Sequence, residues 1–555
     1  MSTLPRSALP RIAMPKWLTF RLTMRLEVLA LLVSVFFLAC YNFSFWRAIA
    51  HLDASWRLVV TLIILIVALQ AFLLGLVLSR WTAKPLLTLL FLVSAGAAYY
   101  MNAYNLYLDA DMLRNVLHTE TREASELIVP GLLPYLLLLG VLPSLLVWRL
   151  RFPERTWPRA LAIRAGFLVA MVLLGVAGAM FAFKDLSALI RNQREVRYLV
   201  TPANYIVSTS KVLLVDERQA HAPLLPIGED AKQASRAPGS KPRLLVFVLG
   251  ETARAANWGL DGYARQTTPE LASLPDLISF PQTESCGTST EVSVPCLFSP
   301  WGRHDYNEST IRRHQSLLHV LDRAGVTTLW RDNQTGCKGV CDGLPFESVV
   351  DGKDPALCNA KRCFDEILLQ DLGARIAPNG RDRVVVLHTL GNHGPAYFER
   401  YPPRFRRFVP TCDTDELGDC NREQIVNSYD NALLYTDHLV AETIGFLRKQ
   451  DAYDTALIYA SDHGESLGEK GLFLHGVPYA IAPKEQTHIP MVMWFSPDFL
   501  RDQKLDPNCL RKTAQQPASH DNLFHSVLGL MQVHTNLYQP EFDLFAGCTG
   551  RVTKA

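Results

Sequence analysis

The distribution of apolar residues divides the chain into a strongly hydrophobic first part and a mixed remainder. Five stretches before residue 184 contain no Lys, Arg, Asp or Glu, and each has the length, or nearly the length, that a helix needs to cross a bilayer. They are residues 28–46, 58–78, 85–101, 127–148 and 165–183. Because five such runs stand in one block, the pattern favours a membrane bundle over buried helices of a large soluble protein.

Lys and Arg near these stretches predict a cytoplasmic N-terminus. The segment before the first stretch and the connections after the second and fourth are basic, whereas the connections after the first and third contain acidic residues. An odd number of spans then places everything after Phe183 on the outer side. The basic residues of the first segment are Arg6, Arg11, Lys16, Arg21 and Arg25.

Residues 184–241 separate the apolar part from the remainder. Between 185 and 214, apolar clusters alternate with basic residues, which predicts either a helix lying on the outer leaflet or an amphipathic helix that packs on the next domain. Residues 226–241 are rich in Gly, Ala, Ser, Pro and charge, as is typical of a linker. The predicted domains are therefore 1–183, 184–241 and 242–555.

From residue 243 onward the pattern changes to short, continuous apolar runs, which predict parallel strands buried on both faces. Four of them end on Gly or on polar and ionisable residues, and helical stretches such as 316–323 and 428–449 lie between them. This is an α/β layout with a mostly parallel central sheet, in which sites form at the carboxyl ends of strands. The runs are residues 243–250, 326–330, 383–388 and 455–460.

Composition narrows the class of protein further. The 555 residues carry a formal net charge of +2, without the basic stripes expected of a nucleic-acid-binding protein. Ten of the 11 cysteines, from Cys286 to Cys548, lie in the globular part. An even set of this kind suggests disulfides and an oxidising compartment, in agreement with the outer location predicted from the basic residues.

A run of small hydroxyl residues, 284–296, is bracketed by Cys286 and Cys296. A disulfide between these cysteines would pin the loop and hold one hydroxyl in place, as covalent catalysis by Ser or Thr requires. Taken alone, the run fits a stabilised surface loop slightly better. The residues at the strand ends favour the catalytic interpretation instead.

The strand ends supply metal-ligand chemistry. Glu251 follows the first run, His393 lies soon after the third, and Asp462 and His463 follow the fourth, with His475 and His488 close downstream. Oxygen and nitrogen ligands of these types suit Zn²⁺. A single histidine is more often structural, but an Asp-His-Gly-Glu sequence after a buried strand favours a metal site.

With these residues the chain resembles the lipid A phosphoethanolamine transferases, the family that includes the mobile colistin-resistance enzymes. The resemblance covers nearly the whole chain and implies an alkaline phosphatase/sulfatase fold behind five membrane helices. The motifs that carry it are Gly-Glu-Thr-Ala-Arg at 250–254, Cys-Gly-Thr-Ser-Thr at 286–290, Asn-His-Gly-Pro at 392–395, Ser-Asp-His-Gly-Glu-Ser at 461–466 and His-Gly-Val-Pro-Tyr at 475–479.

The resemblance also implies roles for individual residues. Thr290 would be the nucleophile that is phosphorylated in the intermediate, and it would hold the catalytic zinc together with Glu251, Asp462 and His463. His393 and His475 would meet the substrate phosphate or a second zinc, and Lys338 would contact the donor headgroup. Where several relatives have Asn four residues before that Lys, this chain has Gln334 with Asn333 adjacent, which leaves the register of the amide contact open.

Proximity together with the family pattern suggests five disulfides. Closing the three-residue gap between Cys337 and Cys341 is the most demanding geometrically. The suggested pairs are Cys286–Cys296, Cys337–Cys341, Cys358–Cys363, Cys412–Cys420 and Cys509–Cys548.

The implied activity is transfer of phosphoethanolamine from phosphatidylethanolamine to lipid A by a monomer in the bacterial inner membrane, with the catalytic domain in the periplasm and resistance to polymyxin as the result. Another envelope glycan as acceptor, and phosphoglycerol transfer by the same superfamily, are alternatives. A membrane-anchored binding protein with a decayed site is disfavoured because no expected ligand is missing. A transporter is disfavoured because no span carries an ionisable residue.

Overall fold

The computed structural model describes residues 22–52, 54–119, 121–219, 223–359 and 362–549. The chain forms two compact units, one of Met1–Asn102 with Pro130–Asn204 and one of Ala103–Val129 with Tyr205–Ala555. Arg6, Arg11, Lys16 and Arg21 of the predicted cytoplasmic segment lie outside the described residues. The domain boundaries at 183 and 241 stay predictions.

The described residues from 26 to 219 are mainly helical. Among them, three helices are long and apolar enough to cross a membrane, Trp56–Val77, Ala83–Tyr104 and Trp157–Phe181. In chain order the helices are α1 (Leu26–Cys40), α2 (Phe43–His51), α3 (Trp56–Val77), α4 (Ala83–Tyr104), α5 (Ala110–His118), α6 (Thr121–Glu126), α7 (Leu132–Tyr135), α8 (Leu142–Trp148), α9 (Trp157–Phe181), α10 (Phe183–Asn192) and α11 (Ala203–Gln219).

The predicted first and fourth spans are interrupted. Helices α1 and α2 are bent by 59° and make a fourth span only if they are counted together. At the bend, Asn42 donates to the carbonyl oxygens of Phe37 and Thr201, so its side chain supports a turn rather than a continuing helix. The apolar helix Leu132–Trp148 is shorter than the other spans and contains a π-helical segment at Leu136–Val141. The number of five spans stays a prediction.

The segment 185–214 is not one helix. Helix α10 ends at Asn192, a 3₁₀ turn covers Arg194–Leu199, and α11 begins at Ala203. Pro202 precedes α11, where its fixed φ and missing N–H are tolerated, whereas it would interrupt a helix that continued through it. The predicted linker is anchored as well, because β1 (Lys232–Gln233) lies within it and pairs with Val533–His534.

A mixed seven-stranded sheet forms the centre of the second unit, in the order β3-β12-β8-β2-β7-β5-β6. The four strands β8, β2, β7 and β5 run parallel to one another, which confirms the expected parallel core, and β12 and β3 add an antiparallel edge. The strands are β2 (Arg243–Gly250), β3 (Ile278–Ser279), β5 (Thr327–Asp332), β6 (Phe346–Ser348), β7 (Arg383–His388), β8 (Asp454–Ser461) and β12 (Met491–Phe495).

The central strands β2, β7 and β8 are buried on both faces along their whole length, and each contains a continuous apolar run. In β2, residues 244–249 are each at most 1% exposed. Full burial of a large aliphatic or aromatic side chain contributes about 1.5–3 kcal/mol relative to exposure. These strands therefore form a rigid base, and the loops at their carboxyl ends are held in place by it.

Short strands and helices surround the sheet. The remaining strands are β4 (Thr283–Glu284), β9 (Ser466–Leu467), β10 (Phe473–Leu474), β11 (His488–Ile489), β13 (Ala518–Ser519) and β14 (Val533–His534). The helices are α12 (Pro269–Ala272), α13 (Thr290–Leu297), α14 (Glu308–Arg313), α15 (Leu317–Arg323), α16 (Leu372–Arg375), α17 (Arg422–Leu447), α18 (Lys484–Thr487), α19 (Pro497–Gln503), α20 (Pro507–Thr513) and α21 (Asp521–Leu530).

Residues 103–129, which follow the third apolar stretch and include the first residues of the fourth, group with the seven-stranded sheet and not with the other helices of the apolar part. Arg114 of α5 forms an ion pair with Glu308. Glu126 of α6 forms ion pairs with Arg362 and Arg400. The hydrophobicity pattern had suggested only a connection between spans, because long-range ion pairs leave no local signal in the sequence.

Ten cysteines of the second unit lie in five disulfides. Cys286–Cys296 spans the hydroxyl-rich run, and Cys337–Cys341 closes the loop that carries Lys338. The other three are Cys358–Cys363, Cys412–Cys420 and Cys509–Cys548.

Candidate active site

The register of the sheet brings two carboxylates together. Strands β2 and β8 are parallel neighbours in which Gly250 pairs with Ser461, so the next residue of each strand, Glu251 and Asp462, emerges at the same edge. The backbone N–H of Thr252 donates to Oδ1 of Asp462 at 3.0 Å and fixes the two loops to each other. Both carboxylates are buried.

His463 completes a cluster with these carboxylates. Its Nδ1 lies 2.9 Å from the carbonyl oxygen of Gly464, which requires the proton on Nδ1 and leaves Nε2 with a lone pair. Nε2 lies 3.5 Å from Oε1 of Glu251 and 3.3 Å from Oδ2 of Asp462. Each of the three side chains has a ligand atom within 4.8 Å of the others.

This cluster fits a divalent metal. Oδ2 of Asp462 is buried without a hydrogen-bond partner among the described residues, which is costly unless a cation meets it. Burial raises the pKa of Asp462, and the Glu251 carboxylate raises it further. Burial also lowers the pKa of His463 to about 4, which keeps the imidazole neutral. Two crowded carboxylates and a neutral imidazole are the donor set of a zinc-type site.

Thr290 lies at this cluster. It begins α13, its Oγ1 donates to Oε2 of Glu251 at 3.0 Å, and Oγ1 lies 3.4 Å from Nε2 of His463. Ser289 is the residue that precedes the helix, in extended backbone conformation. The N–H groups and positive dipole end of an eight-residue helix therefore lie beside the hydroxyl, where they favour a negative charge.

The neighbouring hydroxyl Thr288 is engaged elsewhere, since its Oγ1 donates to the carbonyl oxygen of Val477 at 2.8 Å. Among the hydroxyls of the run, Thr290 is the one whose side chain hydrogen bonds reach the carboxylate and imidazole cluster.

His393 and His475 lie on the other side of the cluster. Nδ1 of His393 is 3.0 Å from Oε1 of Glu251, and the His475 ring is 4.3 Å from the His463 ring and 5.6 Å from the His393 ring. Gly391 allows the His393 loop to approach: its φ is +53°, and a Cβ there would lie 2.6 Å from the carbonyl oxygen of Glu251. A side chain at this position would push the loop away from the site.

The two adjacent amides, Asn333 and Gln334, have different partners. Nε2 of Gln334 donates to Oε2 of Glu251 at 2.7 Å. Asn333 faces away and donates to Oδ1 of Asp365 at 2.8 Å. Asp365 in turn accepts the backbone N–H groups of Leu390 and Gly391, so Asn333 supports the His393 loop from behind.

Lys338 does not touch the metal-ligand cluster directly. Its Nζ lies 3.0 Å from Oε1 of Glu291, the residue after Thr290, and donates to Oγ1 of Thr335 at 2.6 Å. Burial would raise the pKa of Glu291, but contacts with His118, Lys338 and Arg312 outweigh burial and hold its pKa well below the usual range. Glu291 is thus a buried anion. It lies in the hydroxyl-rich run, but its partners are distant in sequence and no local pattern marks them.

His520 is a further residue that sequence reasoning missed. Its Nδ1 accepts the backbone N–H of Cys286 at 3.1 Å, and its Nε2 donates to the carbonyl oxygen of Ser461 at 2.9 Å. Cys286 lies in the hydroxyl-rich run that leads to Thr290, and Ser461 precedes Asp462, so one imidazole joins the two loops. His488 is outside this arrangement and contacts the carbonyl oxygen of Pro281.

Two family models match the chain. Residues 243–533 match the sulfatase family and residues 66–216 match the family "Phosphoethanolamine transferase EptA/EptB". The chain is 41% identical over 529 residues to phosphoethanolamine transferase EptA of Escherichia coli (strain K12), an alignment that covers 93% of this chain and 96% of that protein.

Two further matches extend the comparison. Phosphatidylethanolamine transferase Mcr-1 of Escherichia coli is 38% identical over 481 residues, covering 84% of this chain and 89% of that protein. The solved structure of the integral membrane protein lipooligosaccharide phosphoethanolamine transferase A of Neisseria meningitidis superposes with a TM-score of 0.91 at 38% identity, covering 95% of this chain and 99% of that one. The resemblance in the motifs is confirmed, and the chain belongs to the phosphoethanolamine transferase family, whose catalytic unit has the sulfatase fold.

Proposed function

We propose that this chain transfers phosphoethanolamine from phosphatidylethanolamine to a phosphate of lipid A through a phosphorylated Thr290. In the first step Thr290 Oγ1 bonds to the donor phosphorus, the bond from phosphorus to the glycerol oxygen breaks, and diacylglycerol leaves with a proton. In the second step an oxygen of the acceptor phosphate bonds to the same phosphorus, the bond from phosphorus to Thr290 Oγ1 breaks, and Oγ1 takes back a proton from the acceptor phosphate or from water.

The observation that carries this proposal is the position of the Thr290 hydroxyl. Oγ1 donates to Glu251 Oε2 at 3.0 Å, lies 3.4 Å from His463 Nε2 and stands at the N-terminus of α13. A hydroxyl that is hydrogen-bonded to a carboxylate has an acceptor for its proton, and a helix N-terminus favours the charge that remains. Thr288 lacks this setting because it bonds to Val477.

The residues that would hold zinc are Glu251, Asp462, His463 and Thr290. Bound there, Zn²⁺ would lower the pKa of the Thr290 hydroxyl and offset negative charge on the phosphoryl oxygens. Gln334 keeps Oε2 of Glu251 oriented, and the Nδ1 hydrogen bond of His463 keeps its Nε2 available as a ligand.

His393 and His475 are placed to act on the transferred group. Both rings lie beside the cluster, and neither is fully enclosed, with exposures of 9% and 8%. Their ring N–H groups can bind the phosphoryl oxygens, and one of them can supply a proton to the departing alkoxide. Lys338 would add a cation for the anionic donor.

Relatives and topology support the choice of substrates and location. One relative is named a phosphatidylethanolamine transferase and another a lipooligosaccharide phosphoethanolamine transferase. A site held outside the inner membrane meets both lipids laterally, with the N-terminus in the cytoplasm and the catalytic unit in the periplasm. The product gains an ammonium group that offsets phosphate charge, which weakens binding of cationic peptides such as polymyxin.

The test uses the full-length protein with Thr290→Ala, Thr288→Ala and Ser289→Ala. In wild type, incubation with phosphatidylethanolamine should add one phosphoethanolamine, found by intact mass and mapped to Thr290, and lipid A of expressing cells should gain the same group. Thr290→Ala should abolish both signals, whereas the other two variants should retain measurable activity because their side chains do not reach the cluster.

Other outcomes would contradict the proposal. An adduct on another residue, or lipid A modification by Thr290→Ala at the wild-type level, rules out this mechanism. A glycerol adduct would favour the phosphoglycerol alternative, and modification of another envelope glycan would change the acceptor. Fusions at the C-terminus test the topology: a phosphatase reporter should be active and a green fluorescent reporter dark.

A further inference from the structure

Glu291 is a buried carboxylate held by three basic side chains next to the nucleophile. Its side chain is 2% exposed, and Oε1 lies 3.0 Å from Nζ of Lys338. Oε2 lies 3.4 Å from Nη2 of Arg312 and 3.4 Å from Nδ1 of His118. A lone anion at this position would repel an anionic donor, so the carboxylate has to act together with its cationic partners.

Two partners fix Glu291 itself. Arg312 donates from Nη2 to the backbone carbonyl oxygen of Glu291 at 2.5 Å, and its Nε lies 3.4 Å from Oε1 of Glu308. His118, at the end of α5, approaches the carboxylate from the 103–129 segment. Backbone and side chain of Glu291 are therefore both restrained, and the carboxylate has a defined position.

The third partner, Lys338, is the one that faces substrate in the proposed function. Its backbone φ is +52°, a left-handed conformation, inside the loop closed by Cys337–Cys341. This conformation sets the direction in which the side chain leaves the backbone. Nζ donates to Oγ1 of Thr335 and to Oε1 of Glu291. An ammonium has three N–H donors, and the described residues take two of them.

A cavity of about 530 Å³ opens beside this cluster. Glu291, Lys338, Thr335, Arg312 and His118 all line it. A polar headgroup can therefore approach the Lys338 ammonium without displacing a core residue.

We propose that Glu291 is a positioning residue: its carboxylate holds the Lys338 ammonium so that the third N–H meets an anionic phosphodiester oxygen of the donor. This inference rests on the proposed function and adds to it the residue that positions the Lys338 ammonium. A lysine has four side-chain rotatable bonds, and without an anchor its ammonium would sample many positions.

A double-mutant cycle in the full-length protein tests this coupling. Glu291→Ala and Lys338→Ala are each expected to lower kcat for release of diacylglycerol from phosphatidylethanolamine vesicles by about 10-fold or more, with a smaller change in KM, since a charge-assisted hydrogen bond contributes roughly 1.5–3 kcal/mol. The double variant should be no slower than Lys338→Ala, because the same contact cannot be lost twice.

Two further variants separate positioning from general destabilisation. Glu291→Gln keeps an oxygen acceptor in place and should recover part of the rate that Glu291→Ala loses. Glu347→Ala is the matched control: this carboxylate also serves two cations, with Arg331 at 3.4 Å and Arg375 at 2.9 Å, but stands away from Thr290. It should leave kcat near wild type. If Glu291→Ala does not fold, Glu291→Gln completes the cycle.

The inference is overturned if Glu291→Ala slows the Lys338→Ala background by the same factor as the wild type, or if Glu291→Ala and Glu291→Gln both transfer at the wild-type rate. A wild-type protein that releases no diacylglycerol contradicts the proposed function, and the role of Glu291 falls with it. If wild type releases diacylglycerol but the effects of Glu291→Ala and Lys338→Ala are independent, only the positioning role of Glu291 is contradicted.

Discussion

The side-chain amide of Gln334 donates from Nε2 to Oε2 of Glu251 at 2.7 Å. The same oxygen accepts the hydroxyl of Thr290. Gln334 thus limits the rotation of the carboxylate to which the Thr290 hydroxyl donates, although Gln334 and Glu251 come from different loops at the edge of the sheet.

Gln334→Ala should lower kcat/KM for transfer by about 10-fold, since a hydrogen bond to a charged group contributes roughly 1.5–3 kcal/mol. Gln334→Asn, whose side chain is one methylene shorter, should have a kcat/KM between those of wild type and Gln334→Ala. Gln282→Ala is the control, because Gln282 donates to the carbonyl oxygen of Gln515 on the surface. Transfer rates and metal content by mass spectrometry check the prediction; an unchanged Gln334→Ala enzyme would show that Glu251 is oriented by other contacts.

Arg400→Lys should slow transfer and destabilise the protein. Arg400 donates from Nε to the carbonyl oxygen of His393 at 2.5 Å and from Nη2 to Oε2 of Glu126 at 2.6 Å. A lysine has one nitrogen and cannot serve both acceptors in this planar arrangement. Loss of one partner of a buried ion pair costs about 3–5 kcal/mol.

The measurement for Arg400 is thermal unfolding together with the transfer rate. Arg404→Lys is the matched control, since the exposed Arg404 pairs with Glu366 at 2.8 Å. Equal rates and melting temperatures for the two variants would show that the position of His393 does not depend on Arg400.

Gly391→Ala should remove activity and lower metal content. The φ of +53° disfavours any L side chain, and the added methyl group would lie 2.6 Å from the carbonyl oxygen of Glu251. The strain alone costs more than about 1 kcal/mol. Gly418→Ala is the comparison, because a Cβ there meets no described atom within 4 Å. Full metal occupancy in Gly391→Ala would mean that the loop shifts without disturbing Glu251.

We expect His520 to lower the free energy of unfolding in acid. Burial lowers its pKa to about 4 from the ordinary 6.5. The unfolded chain therefore takes up a proton below pH 6.5 that the folded chain refuses until about pH 4. The free energy of unfolding contributed by this group is constant above pH 6.5 and falls by roughly 3 kcal/mol as the pH decreases from 6.5 to 4.

His520→Gln should flatten this part of the pH dependence, since an amide can accept from Cys286 and donate to Ser461 without titrating. Melting temperatures of the full chain between pH 7.5 and 4.5 measure it. The exposed His534, replaced by Gln, serves as the control. Parallel curves for wild type and His520→Gln would exclude His520 as a source of acid sensitivity.

The sequence predicted the central strands β2, β7 and β8 well because each contains a continuous apolar run that ends in polar residues. It did not predict that β12 would run antiparallel beside β8, although its run of apolar residues is equally continuous. Strand direction follows from the path of the connecting chain, which hydrophobicity does not encode.

The sequence predicted that Glu251, Asp462 and His463 would lie together, because they follow buried strands of one sheet. It did not predict the residues that support them. Gln334 and Asn333 are adjacent amides in a loop, and only the backbone conformation decides that one faces Glu251 and the other Asp365. The contacts of His520 and Arg400 join loops that are distant in sequence, so no local pattern marks them.

The pairing of β2 with β8 also sets the order in which the protein can mature. Thr252 and Asp462 are 210 positions apart, yet they share a hydrogen bond. During synthesis β2 emerges with one edge unpaired until β8 follows, so the backbone N–H and C=O groups on that edge have no sheet partner before then. Glu251 and Asp462 come together only after β8 is in place, so a metal that binds both carboxylates would bind late in folding.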